Sequence, residues 1–265
     1  MKKKKENISI IITNFNKEKN IEKSLQSIIS QNYNNYEIII FDDCSTDNSI
    51  NLIKKYKKIK LIKNKKKKFI GGPLNQINGI LKAFSICKGK LICLLDSDDG
   101  FEKNKLKEIN DFFFKNSTVD FVVNFPQKKS NFNLKRIHVD NSIWPSIFPT
   151  SCISFRRSFF IKFKKKLISN NFPNLEIDAR LMIYAYHFSL NKKVTIMNKK
   201  LTKYVKSNNS ISSNYSKFSI NWWHKRKEAF DYLRYILKTK NKNFIRSLDY
   251  FVTNMIYLLT LFKKN

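Results

Sequence analysis

Leu91-Ile92-Cys93-Leu94-Leu95-Asp96-Ser97-Asp98-Asp99-Gly100 is the stretch on which the fold turns. Five apolar residues read as a buried strand, and carboxylates crowd its carboxyl end. The pattern recurs upstream, where the apolar run Tyr36 to Phe41 leads into Asp42-Asp43-Cys44-Ser45-Thr46-Asp47. Packing acids at two strand ends costs electrostatic energy unless something cationic or polar fills the space. A divalent metal together with a nucleotide would do both.

Working outward, Ile8 to Thr13 is β-branched and strand-like, and Ile21, Leu25, Ile28 and Ile29 recur at helical spacing behind it, with Glu18 expected in the first turn. Ser45 or Thr46 is expected to cap a helix through about Tyr56, and Ile59 to Ile62 to form a third strand. Gly71-Gly72-Pro73 opens a helix to about Cys87, which Lys88-Gly89-Lys90 ends before the fourth strand at Leu91. Strands alternating with helices predict an α/β chain with a doubly wound, mostly parallel sheet flanked by helices. In such sheets ligands bind beyond the carboxyl ends of the strands, where Asp42, Asp43, Asp96, Asp98 and Asp99 fall.

The later pattern predicts a helix over Glu102 to Lys115, a strand over Val119 to Asn124, and a loop from Pro126 to about Trp144. Pro149 to Phe155 is strand-like and Leu175 to Leu190 helical. After Ser207-Asn208-Asn209-Ser210 the sequence reads as a helical extension to its end. The domains expected are a basic tail over 1–6, an α/β domain over 7–210 and the extension over 211–265.

Lys and Arg total 52 against 20 acidic residues, a net charge of +32. That balance favours phosphate-bearing or anionic partners, although a lysine- and asparagine-rich composition arises from codon bias as well. No nucleic-acid module is visible, and nucleic acid would leave the strand-end acids without a purpose. The four cysteines and three histidines are scattered, with no CxxC pair, so no zinc site or disulfide framework is suggested. Met1 to Asn7 is basic but is followed by too short an apolar run for a secretion signal, so a cytoplasmic location is expected.

Three motifs now stand in order on strand ends: Ile8 to Glu18, Phe41 to Asp47, and Leu95 to Asp99. They resemble the nucleotide-sugar-binding half of the family 2 glycosyltransferases, which have the GT-A fold. The resemblance is close over about the first hundred residues. It implies an inverting enzyme that moves one sugar from a nucleotide donor, commonly UDP-linked, to a hydroxyl of a glycan or lipid-linked acceptor in surface polysaccharide biosynthesis. The contacts it implies for the nucleotide sugar are Thr13, Phe15, Glu18, Asp43, Asp96 and Asp98, with Asp43 reading the base and Phe15 offering a stacking face. Asp96, Asp98 and Asp99 would share the metal and the ribose between them, with Asp98 and Asp99 assigned to Mn²⁺ or Mg²⁺ and the division among the three left open; such hard cations suit oxygen ligands and a diphosphate leaving group. Asp42 and Asp47 also have a structural reading as turn and cap residues, preferred for Asp47.

Further on, Pro149 to Arg157 and then Glu176-Ile177-Asp178-Ala179-Arg180-Leu181 resemble the acceptor side of the same family. Transfer with inversion needs a carboxylate to take the acceptor hydroxyl's proton. Asp178 is assigned as that base, with Glu176 as its rival. Gln76, Ile80 and Lys82 stand where many relatives carry an arginine for the donor phosphate, so that role has no assignment. A QxxRW motif is absent, which favours single addition over polymerisation. A sugar nucleotidyltransferase is the rival enzyme class, but its glycine-rich loop is missing from Thr13 to Lys17. The other alternative is a basic nucleic-acid- or membrane-binding protein that keeps the fold without catalysis.

Trp222 and Trp223 are read as preceding a helix that acts as a lid. The segment Leu248 to Phe262 is too short and too polar to span a bilayer. With Lys263 and Lys264 behind it, it reads equally as a terminal helix docked on the domain or as an interfacial helix making peripheral contact with anionic membrane.

Overall fold

A computed structural model of the chain describes residues 5–65, 71–127, 145–167, 171–188, 194–205, 215–238, 245 and 247–262. Most of the expected loop after Pro126 and the turn-rich stretch at 207–210 lie outside them. The first half follows the expected alternation: β1 (Ile8–Asn14), α1 (Ile21–Ile29), β2 (Tyr36–Asp42), α2 (Ser49–Lys54), β3 (Ile59–Lys63), α3 (Gly72–Ile86), β4 (Leu91–Asp96). Then come a two-residue β5 (Gly100–Phe101), α4 (Lys105–Lys115), β6 (Phe121–Pro126), a 3-10 turn (Thr150–Cys152), β7 (Ile153–Arg156), α5 (Arg157–Leu167) and α6 (Ile177–Phe188). β8 (Thr195–Lys203), α7 (Ile220–Leu237) and α8 (Leu248–Phe262) complete the described elements.

One sheet runs in the order β3-β2-β1-β4-β7-β6-β8-β5. β3, β2, β1 and β4 are parallel neighbours, β7 is antiparallel to β4 and β6, β8 is parallel to β6, and β5 is antiparallel to β8. The period of two along each strand separates two cores. Ile8, Ile10, Ile12, Ile38, Ile40, Leu91, Cys93 and Leu95 face α1 and α4 through Ile21, Leu25, Ile28, Leu106, Ile109 and Phe113. Ile11, Ile39, Phe41, Ile92 and Leu94 face the other way, onto α3 and onto a phenylalanine-rich cluster from β7, α5, α6 and α7. Burial on both faces explains why these strands are near-continuous apolar runs rich in Ile and Leu.

α1 begins at Ile21, so Glu18 lies before the helix. α2 begins at Ser49 after Asn48, because Ser45 and Thr46 are drawn into contacts with the β2 and β1 ends: Ser45 Oγ donates to Asp42 Oδ2 at 2.6 Å and Thr46 N to Asn16 Oδ1 at 2.8 Å. α4 starts at Lys105 because Glu102 is held by β8, its N–H donating to the Leu201 carbonyl at 3.0 Å. Trp222 and Trp223 sit inside α7, whose N-cap is Ser219, rather than before it. The same helix sends Phe230, Tyr232, Leu233 and Ile236 into the main core. α5 and β8 were not anticipated. Among the described residues no helix is long and apolar enough to cross a membrane.

Candidate active site

The strand order reverses direction between β1 and β4, the switch point at which an open α/β sheet leaves a crevice. Register sets what lines it. Thr13 pairs with Phe41 on one side and Asp96 on the other, and Asn14 pairs with Asp42. A cavity of about 520 Å³ opens over these ends. On its β1–β2 side stand Thr13, Phe15, Lys17, Phe41 and Asp43. Asp96 and Asp98 stand at the β4 end, and Glu176, Asp178, Thr150 and Tyr204 across from them.

Two acids build the first wall without entering the cavity. Asp42 is buried and accepts from Asn14 Nδ2 at 2.8 Å, Ser45 N at 2.9 Å and Ser45 Oγ. Asp47 accepts from Ser49 Oγ, from Glu18 N at 2.9 Å and from Ser49 N at 3.0 Å, bonds that hold its carboxyl below the usual range although desolvation pushes the other way. Glu18 faces away from the cavity, where its Oε2 accepts from Asn48 N at 2.9 Å. It acts there as a cap on the turn before α2. Asn16 and Cys44 both take left-handed backbone (φ 50° and 59°), and together they turn the chain at both strand ends. Asp43 does line the cavity; Asn64 Nδ2 donates to its Oδ1 at 2.8 Å and so orients it. The Phe41 ring is also brought up by α3: a β-carbon on Gly79 would lie 2.5 Å from Phe41 Cδ1.

The β4 end is the acidic centre. Asp98 Oδ2 is paired with Lys17 Nζ at 2.6 Å, and Asp96 Oδ1 accepts from Gln76 Nε2 at 2.8 Å. Of the three α3 residues Gln76, Ile80 and Lys82, Gln76 thus enters the site, while Ile80 is core and Lys82 lies over the Phe41 ring. Burial raises Asp96 well above the carboxylate range, and Asp99, Asp98 and Asp178 reinforce the rise. Asp99 is buried behind the cavity wall, outside the lining. Its Oδ2 accepts from Ser151 Oγ at 2.5 Å and its Oδ1 from Val205 N at 2.8 Å. Burial lifts it to about 6 against the pull of those bonds.

Asp178 sits in the first turn of α6 with Oδ1 accepting from Ala179 N at 2.7 Å. A helix N-terminus and a nearby ammonium both favour its ionised form. Burial and then the charge of Glu176 outweigh them, and Asp178 rises to about 7. Glu176 is held differently: Lys225 of α7 is bonded to its Oε1. Asp178 is raised toward neutrality by its burial and by the charge of Glu176.

Several contributors carry no signal in the sequence. Tyr204 and Val205 enter the lining because β8 delivers them, and burial raises the Tyr204 hydroxyl to about 12. Lys105 is fully buried beneath the acids, donating to the Ser151 carbonyl and to Thr202 Oγ1 at 2.9 Å.

Among the described residues no three Asp, Glu, His or Cys side chains converge to hold a metal. Asp96 and Asp98 nevertheless fit a divalent cation: both are oxygen donors lining the cavity, and Asp96 is strained by neighbouring carboxylates that a cation would relieve. Asp99 fits less well, since both of its oxygens are engaged.

The family model described as "Glycosyl transferase family 2" matches residues 9–181. The chain is similar to the Escherichia coli UDP-Glc:alpha-D-GlcNAc-diphosphoundecaprenol beta-1,3-glucosyltransferase WfaP, 41% identical over 101 residues, which is 37% of this chain and 38% of the relative. It is also similar to the putative glycosyltransferase EpsE of Bacillus subtilis, 36% identical over 97 residues, which is 35% of this chain and 33% of the relative. The matched part thus spans little more than a third of the length of these curated relatives. Among solved structures, Staphylococcus aureus TarS 1-349 in complex with UDP-GlcNAc aligns with a TM-score of 0.60 at 18% identity, covering 90% of this chain and 75% of that one. The mannosyltransferase PcManGT from Pyrobaculum calidifontis, in complex with GDP-Man and Mn²⁺, aligns with a TM-score of 0.64 at 14% identity, covering 86% and 64%. These likenesses show the fold, a mostly parallel sheet with flanking helices.

Proposed function

This chain belongs to glycosyl transferase family 2, and from that premise we propose that it transfers one sugar, with inversion, from a UDP-sugar to a hydroxyl of a glycan or lipid-linked acceptor in surface polysaccharide biosynthesis. One observation carries the reading: a single cavity at the sheet's switch point gathers Thr13, Phe15 and Asp43, then Asp96 and Asp98, then Asp178. That is the order in which a base, a diphosphate and an attacking hydroxyl would be met. The names of the relatives support the donor and acceptor classes, and the Mn²⁺ of the mannosyltransferase complex supports a metal.

In this reading Asp43, oriented by Asn64, accepts from the base, and Phe15, 40% exposed at the rim, stacks on it. Asp98 with Asp96 would hold Mn²⁺ or Mg²⁺, which when bound would supply positive charge against the diphosphate. Lys17, already in the cavity, adds a second positive charge on the same side. With a proton affinity near neutrality, Asp178 takes the acceptor hydroxyl's proton as that oxygen attacks the anomeric carbon. Tyr204 and Thr150 line the acceptor side of the cavity. We assign the basic tail to 1–6, the transferase domain to 7–210 and the helical extension to 211–265.

Titration calorimetry with UDP in the presence and absence of Mn²⁺ tests the assignment. UDP should bind with Mn²⁺, and Asp98→Ala should weaken that binding at least about tenfold and abolish transfer. Equal UDP binding and equal turnover by the variant would overturn it.

A further inference from the structure

α8 is turned inside out. Its packed face is polar: Asp249 is paired with Arg226, Thr253 is fully buried, and Thr260 Oγ1 lies 2.8 Å from His224 Nε2. Tyr257 lies against the His224 ring at 5.0 Å and Tyr250 against Phe230 at 5.2 Å. The opposite face holds Leu248, Phe251, Met255, Leu258 and Leu259, of which Leu248 is 76% exposed and Phe251 and Leu259 each 60%. At helical spacing these five fall within an arc of about 100°, a continuous apolar stripe. A helix that merely capped the domain would present these two faces the other way round.

Charge decides what covers the stripe. In the sequence Lys238, Lys240, Lys242 and Arg246 precede α8 and Lys263 and Lys264 follow it. The chain carries +32 overall, so a second copy brought face to face would be repelled. An anionic bilayer would be attracted by those cations while its acyl chains accept the stripe. Fifteen residues of helix reach about 22 Å, short of the roughly 30 Å hydrocarbon core, so α8 lies along the surface instead of crossing it. At the α7 end beside the C-terminal half of α8, Phe218, Trp222 and Trp223 form an aromatic cluster with Lys217 and Arg226 over its rings. Aromatic residues with neighbouring cations suit the headgroup layer.

We propose that the exposed face of α8 docks this protein in the plane of an anionic lipid bilayer. The docked helix is one helix away from the cavity, since His224 of α7 meets α8 while its neighbour Lys225 holds Glu176 of the cavity wall. Docking therefore brings the acceptor side of the cavity close to the membrane surface. That consequence rests on the glycosyltransferase reading; the docking itself does not.

Co-sedimentation of the full chain with vesicles tests it. One set is phosphatidylcholine alone and the other contains about a third phosphatidylglycerol. The protein should sediment with the anionic vesicles, less so at high salt, and poorly with the neutral ones. The variant F251S/L258S/L259S should lose at least about tenfold in partitioning while keeping its UDP affinity, because the three side chains lie outside the cavity. Leu259→Ser alone, with a smaller loss, serves if the triple variant unfolds. Failure of the wild type to bind anionic vesicles, or equal binding by the variants, would overturn the proposal. So would a wild-type dimer in light scattering that the variants lack, which would assign the face to a second copy. Absence of UDP binding alongside normal vesicle binding would instead fail the donor reading and leave the docking standing.

Discussion

Asp178 should cost the fold stability in proportion to its raised proton affinity, and Asp178→Asn should return part of it. The carboxyl moves from its ordinary 3.8 to about 7. For an acid, that direction means the folded state resists ionisation. The penalty begins as pH passes the unfolded value near 3.8 and is complete above about 7. At about 1.4 kcal/mol per pH unit the full penalty is at most ~4 kcal/mol. Asp178 borders an open cavity, so water screens it, and Asn must still satisfy its own amide; ~1–2 kcal/mol of recovery is the reasonable share. In a chain of this length that is a rise in Tm of ~2–6 °C at pH 8. At pH 5 the carboxyl is protonated in the folded protein and only the first part of the penalty has accrued, so the advantage of Asn should be smaller there. The assay is thermal unfolding of both proteins at pH 5 and pH 8, with sugar transfer measured beside it. Transfer should fall by at least ~10²-fold. A variant that is less stable than wild type at pH 8, or whose advantage does not grow with pH, would refute the link between burial, charge and base strength.

Two further outcomes follow from neighbours of the same cavity. Lys225 lowers the Asp178 proton affinity, so Lys225→Met should move the acid limb of the kcat/KM profile to higher pH by roughly half to one unit; an unmoved or lowered limb would contradict the placement of that ammonium. Gly79→Ala should force the Phe41 ring out of its position, lowering stability by ~1–3 kcal/mol in thermal unfolding and raising the donor KM; unchanged values of both would mean that the ring yields freely.

The first half of the molecule was legible because its strands are buried on both faces. Ile8 to Thr13, Tyr36 to Phe41 and Leu91 to Leu95 are predominantly apolar, with Ser9 and Glu37 as polar exceptions near the strand starts, and acids follow at the ends of the second and third runs, beside the switch point. Glu18 and Asp99 were harder to place. Both belong to the motifs, but a sequence does not reveal that Glu18 caps the α2 turn or that Ser151 and Val205 occupy the oxygens of Asp99. The second half hides its elements in lysine. In α5 the helical spacing of Phe159, Phe163 and Leu167 is interrupted by four lysines from Lys162 to Lys166, and β8 has exposed Asn198, Lys199 and Lys200 at a shift in its pairing with β6. Polar residues at a bulge break the period of two on which a strand is recognised.

Losing β8 in the sequence meant losing the network that joins the two halves of the site. Lys105 holds the Ser151 carbonyl and Thr202 of β8, while the Ser151 hydroxyl accepts from the Asp96 N–H and donates to Asp99. Asp99 in turn accepts from Val205, just beyond β8 and next to Tyr204. A buried lysine is expensive, and burial lowers this one to about 8; its partners are a carbonyl, a hydroxyl and, nearby, the charge of Asp99. So costly a group makes sense where it fixes geometry that apolar packing would leave free. Through it the acidic end of β4 and the stretch carrying Tyr204, on opposite sides of the cavity, are parts of one hydrogen-bonded body. Asp99 therefore serves the site from behind the wall, setting the position of the β4 end, while Asp96 and Asp98 face the cavity.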